Sequence, residues 1–98
     1  MIVVTLHPKA DEELVAAAVH YVAHASRKVA EDFLSEFDRA VTLLQEHPGL
    51  RTPWHGKVRR FPFRRFPYSI AYDETAGRRR IVAIAHQHRR PGYWRDRS

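Results

Sequence analysis

Apolar positions recur along this chain at two spacings, and the change from one to the other separates helices from strands. Ile2 to Leu6 is a β-branched run of strand type, stopped by His7-Pro8. Pro8 suits the first turn of a helix, and Asp11, Glu12 and Glu13 favour its positive end. The helix should run to about His24, with Leu14, Ala18, Tyr21 and Ala25 on one stripe and Val15, Val19 and Val22 widening it. Ser26 is a good N-cap for a second helix. Its buried face is Val29, Phe33, Phe37, Ala40, Val41 and Leu44, at spacings of three, four and seven. His47-Pro48-Gly49 ends it, and the short link between the two helices implies an antiparallel hairpin.

After residue 48 the period changes. Residues 49–57 read as a loop, with Pro53 and Gly56 as breakers. Three strands should follow. The first is Lys57 to about Phe63, where Pro62 suggests an edge or a bulge. The second is Tyr68 to Tyr72. The third is Arg80 to about His88, and its continuously apolar Ile81-Val82-Ala83-Ile84-Ala85 reads as a central strand. Asp73 to Gly77 connects the last two. The order β-α-α-β-β-β implies one α+β domain over residues 1–98: an N-terminal strand, a helical hairpin, then a three-stranded antiparallel meander. The hairpin should cover one face of the sheet and leave the other free for arginines.

Composition narrows the chemistry. The 98 residues include no cysteine, which excludes disulfides and thiolate chemistry. The uncharged stretch Leu14 to Ala25 holds two histidines and is too short to span a bilayer, so a soluble, cytoplasmic protein is expected. The net charge of +6 is unevenly placed. Residues 1–50 carry four Lys/Arg against eight Asp/Glu, a net of −4; residues 51–98 carry thirteen against three, a net of +10. Arginine forks bind phosphate and carboxylate, so nucleic acid or an acidic protein segment is the expected partner.

Two stretches are more specific than composition. One is Arg64-Arg65-Phe66-Pro67-Tyr68-Ser69-Ile70-Ala71-Tyr72; the other is Ile81-Val82-Ala83-Ile84-Ala85-His86, continuing to Arg89-Arg90-Pro91-Gly92-Tyr93-Trp94. With the Phe33, Phe37, Ala40, Leu44, Pro48 rhythm of the second helix, they resemble the RelE/ParE toxins of type II toxin–antitoxin systems. That resemblance implies a toxin held inactive by a cognate antitoxin, in a complex that can join a higher toxin–antitoxin assembly. It also implies one of two targets. ParE-like members inhibit DNA gyrase; RelE-like members are ribosome-dependent, metal-independent endonucleases that cut messenger RNA. A plain basic nucleic-acid-binding module is a further reading, weakened by the lack of a recognition helix.

Candidate site residues follow from these readings. A nuclease would use Arg60, Arg65, His88, Arg89 and Tyr93, with Tyr93 matching the C-terminal tyrosine of RelE-like toxins. Against it, Ser69 stands directly after the strand tyrosine, where RelE-like nucleases usually carry an arginine. The ParE-like reading is therefore the one taken. An antitoxin is expected on Leu14, Tyr21, Phe33 and Phe37, in a groove between hairpin and sheet, with Arg59 and Arg64. A target would meet His86, Arg90 and Trp94. His86 and His88, two apart on a strand, should point to the same side. His7, His20, His24, His47 and His55 read as surface or capping residues, and the run Arg78-Arg79-Arg80 as a solvated face. No cofactor and no metal are expected.

Overall fold

A computed structural model describes residues 1–48, 50 and 53–97, with the side chains of 53–55 left out. Strand β1 (Val3–Leu6) leads into helix α1 (Pro8–His24), and α2 (Arg27–Glu46) returns antiparallel to it. Both helices start on side-chain caps: the His7 ring accepts from the Lys9 N–H at 3.0 Å and the Ser26 hydroxyl from the Val29 N–H at 3.1 Å. Strands β2 (Pro53–His55), β3 (Val58–Pro62), β4 (Tyr68–Thr75) and β5 (Arg78–His86) follow, then a 3-10 turn at Arg95–Arg97. The sheet order is β1-β5-β4-β3-β2, with β1 parallel to β5 and the other neighbours antiparallel. β5 thus lies between β1 and β4, as its composition implies, but β1 reaches only to Ile81, so the rest of the apolar run has β4 alone as a strand neighbour.

The α+β order holds, with one strand more than expected. Pro53 and His55 pair with Arg59 and Val58, so part of the expected 49–57 loop is an edge strand. The rest of that loop includes Gly49, Arg51 and Thr52, which lie outside the described residues, as does the His55 side chain. Proline suits an edge because it gives up no ladder donor there. The β4–β5 connection is tighter than Asp73 to Gly77: Thr75 pairs with Arg78, and only Ala76 and Gly77 turn the chain. Their φ values of +46 and +78° are those of a primed two-residue hairpin turn.

Helix α1 differs from its expected stripe. It buries Ala10, Leu14 and Ala17, while Tyr21 is half-buried. Val15, Val19 and Val22 do not widen that face. They stand on the far side of the helix, 55%, 61% and 55% exposed. At about 100° per residue, each lies well round from the Ala10–Leu14–Ala17 line. Helix α2 keeps its expected face, with Phe33, Ala40 and Leu44 fully buried.

A β-bulge sets the phase of β5. Tyr72 pairs with Ile81, but Ala71 pairs with Ala83, leaving Val82 as the extra residue. Before the bulge Arg79 and Ile81 face the helices; after it Ile84 and His86 do. Val82, Ala83 and Ala85 turn to the opposite face and join Val58, Ala71 and Trp94 in a second apolar cluster. The expectation of an outer sheet face left free is therefore corrected. Trp94, 1% exposed, folds back across it because the small alanines leave room for an indole.

Candidate functional site

Once β1 has ended, β5 would present bare backbone groups at its edge. The His7 N–H makes the last link, to the Ile81 carbonyl at 2.8 Å. Beyond it two side chains replace the missing strand. Glu13 Oε1 accepts the Ile84 N–H at 3.1 Å, and Arg97 Nη1 donates to the Val82 carbonyl at 3.2 Å. The two are paired to each other at 2.9 Å. The Tyr93 hydroxyl donates to the other Glu13 oxygen at 2.8 Å. Glu13 thereby joins the first helix, the central strand and the C-terminal tail. Nothing in the sequence separates it from Asp11 and Glu12, and only helix phase turns it inward. Removing it in Glu13→Ala orphans one backbone donor and one arginine, and should cost about 2–3 kcal/mol in urea unfolding. An equal loss in Asp11→Ala would contradict this role.

Tyr93 belongs to this network. Burial pushes its phenol above the ordinary tyrosine range, and the hydrogen bond to Glu13 pushes the same way. A phenol held neutral that already donates its proton to a carboxylate is poorly placed to act as a base. Arg89 lies 4.0 Å above the Tyr93 ring and Arg97 5.1 Å from it. A shallow groove of about 270 Å3 beside them is lined by Glu13, His20, Tyr68, His86, Arg89 and Tyr93, with Ala16, Ala17 and Ile84 at its base. His88 lies in a turn past the end of β5, not on the strand. It still meets His86, because its N–H donates to the His86 ring at 3.1 Å and the two rings stack at 5.1 Å. Burial, then the charges of His88 and His20, hold His86 below the ordinary histidine range. Among the described residues no group of three His, Asp or Glu side chains is placed to hold a metal ion.

The remaining arginines divide between the two faces of the sheet. Arg59 pairs with Tyr72 on the helical side, whereas Arg60 points the other way and its Nε donates to the Ser69 hydroxyl at 3.0 Å. Position 69, which lacks an arginine, thus has one supplied by the neighbouring strand. Arg64 and Arg65 sit in the β3–β4 turn. The Arg64 N–H is held by Glu36, and Arg65 has φ +65° and lies 3.6 Å from Asp32. Arg90 is exposed. Arg79 is no part of a solvated face: it is fully buried. Alternation along β5 could have shown this, since the middle arginine of the run shares the parity of Ile81.

The residues expected to receive an antitoxin are unequally accessible. Phe33 is 0% exposed and Leu14 is 9%, so neither offers a surface, while Tyr21 and Phe37 are half-buried. The rings of Phe33 and Phe63 stack at 5.1 Å and close the space between hairpin and sheet. What stays open is a groove of about 390 Å3 between α2 and β3. Leu43, Leu50, Phe61, Phe63 and Tyr72 give it an apolar lining, with Arg39, Arg60 and Arg64 around it. Trp94, expected to touch a target, is buried and cannot.

No helix among the described residues is long and apolar enough to cross a membrane. A search of curated proteins finds no match. Among solved structures, one described as the chromosomal ParDE TA system from P. aeruginosa is similar in fold, with a TM-score of 0.78. It is 24% identical and covers 88% of this chain and 96% of its own. The family model described as the ParE toxin of type II toxin-antitoxin system, parDE, matches residues 4–91, from the first strand into the tail. The chain belongs to the ParE toxin family of type II toxin–antitoxin systems.

Proposed function

We propose that this toxin arrests growth in the cytoplasm by binding a protein target, with DNA gyrase the first to test, and not by cutting RNA. The observation that carries this reading is the Tyr93 hydroxyl, donated at 2.8 Å to Glu13. The tyrosine that a RelE-like nuclease would need at the scissile phosphate instead anchors the tail. The cognate antitoxin is assigned to the α2–β3 groove, whose apolar floor and arginine rim suit an acidic amphipathic segment. Two observations favour the RelE-like reading instead: Arg60 reaches Ser69, and the His86–His88 pair adjoins the groove that Arg89 lines.

Inducing the toxin in bacteria separates the two. Blocked gyrase supercoiling with intact messages is the expected result. New, codon-phased 5′ ends on translated messages would sink the gyrase reading. Tyr93→Phe sharpens the comparison, because it should leave growth arrest intact where a catalytic hydroxyl would not.

A further inference from the structure

The face of the sheet turned away from the helices is basic. Arg78 and Arg80 share it, because Arg79 between them points to the end of α2. Two residues of strand set them about 7 Å apart, close to the step between successive phosphates of a nucleic-acid strand. Both are held on a paired strand: Val3 and Thr5 of β1 lie on one side, Thr75 and Asp73 of β4 on the other. With Thr5, Asp73, Thr75 and Ala76 they line a groove of about 390 Å3. Both arginines are exposed, and among the described residues neither side chain makes an ion pair or hydrogen bond. The same face carries exposed Arg60, opposite Ala71. The tail that folds across it carries exposed Arg90 and Arg95, which line a second hollow of about 250 Å3. Against these five cations stand Asp73 and Asp96, while Arg97 is matched by Glu13.

We propose that this outer sheet face binds the phosphate backbone of duplex DNA, without reading its bases. Arginine forks grip phosphate, and the Thr5 and Thr75 hydroxyls in the groove can donate to it. An acidic amphipathic peptide fits less well, because no large apolar side chain lines the Arg78–Arg80 groove to anchor it. A single strand fits less well too. Trp94 is buried and Tyr93 is half-buried against Arg89, so neither offers a ring on which bases could stack. Both helices lie in the other layer, so none projects from this face into a groove of the duplex. The acidic first half of the chain, net −4, would turn that helical layer away from DNA. The inference does not rest on which protein the toxin inhibits.

Fluorescence anisotropy of a labelled, mixed-sequence DNA duplex tests this with the full chain freed from antitoxin. Binding should appear at low salt and weaken steeply as salt rises, with a log–log slope of about three. The double variant Arg78→Gln with Arg80→Gln should weaken it about tenfold and lower the slope by about two. Its melting temperature should not change, since both side chains are exposed. Arg27→Gln with Lys28→Gln removes the same charge from the helical layer and should leave binding within about twofold. Absence of duplex binding at low salt overturns the proposal, as does an equal loss in both double variants. Tighter binding of a single strand or of duplex RNA overturns it as well. So does polyglutamate that binds more tightly than the duplex and loses affinity in the Arg78–Arg80 variant, which would make an acidic protein the occupant.

Discussion

Replacing Arg79 by methionine is expected to lower the free energy of unfolding by about 3–5 kcal/mol. The guanidinium has no exposed surface. Its Nε donates to Glu74 at 2.7 Å, Nη1 donates to the carbonyls of Leu44 and His47, both at 2.8 Å, and Nη2 to those of Pro48 and Leu50, at 3.0 and 3.3 Å. Three of those acceptors lie at the end of α2 or just past it, where carbonyls lack helical partners and the helix dipole is negative. The last turn of α2 has no basic residue of its own; β5 provides one. Methionine would keep much of the volume, but take away the donors that satisfy the Leu44, His47 and Pro48 carbonyls and the cation beside Glu74. Arg79→Lys should fall between, since a point charge cannot replace a planar fork. Urea unfolding of both variants beside the wild type measures this. A loss below about 1 kcal/mol in Arg79→Met would mean the carbonyls find water instead.

Trp94→Ala is the second large effect, about 3–5 kcal/mol from the cavity left on the outer sheet face. Val58, Ala71, Val82, Ala83 and Ala85 surround the indole, and the alanines are too small to close over the gap. Trp94→Phe should recover a good part of the loss. The measurement also decides between two roles for this residue. A target contact would cost toxicity at unchanged melting temperature; a buried anchor costs melting temperature first.

Which parts of this arrangement the sequence discloses follows from what periodicity can encode. The hairpin and the meander are legible because proline, serine and glycine mark their ends and hydrophobic spacing marks their faces. Strand β2 is not, because three residues leave no period to read. The valines of α1 mislead for a different reason: hydrophobicity marks a face as apolar without saying whether this chain covers it. Arg79 and Glu13 are hardest to see. Each looks like its neighbours, and only tertiary placement singles it out. In the candidate site, Arg89 and His86 do come together on one groove. Arg60 belongs to the outer face through its pairing opposite Ala71, and Trp94 to the core through a returning tail, and both are long-range events.

That bulge bears on how the protein tolerates changes of length. Strand β5 is two half-strands of opposite phase joined at Val82: the first grips the end of α2 and the second faces α1. Either half could accept many substitutions among small apolar residues. Neither could accept one residue more or fewer, since that would turn its inward side chains outward and bury those that now face away. From Ile81 to Ala85, spacing should therefore be under tighter constraint than residue identity, whereas at Arg79 both matter.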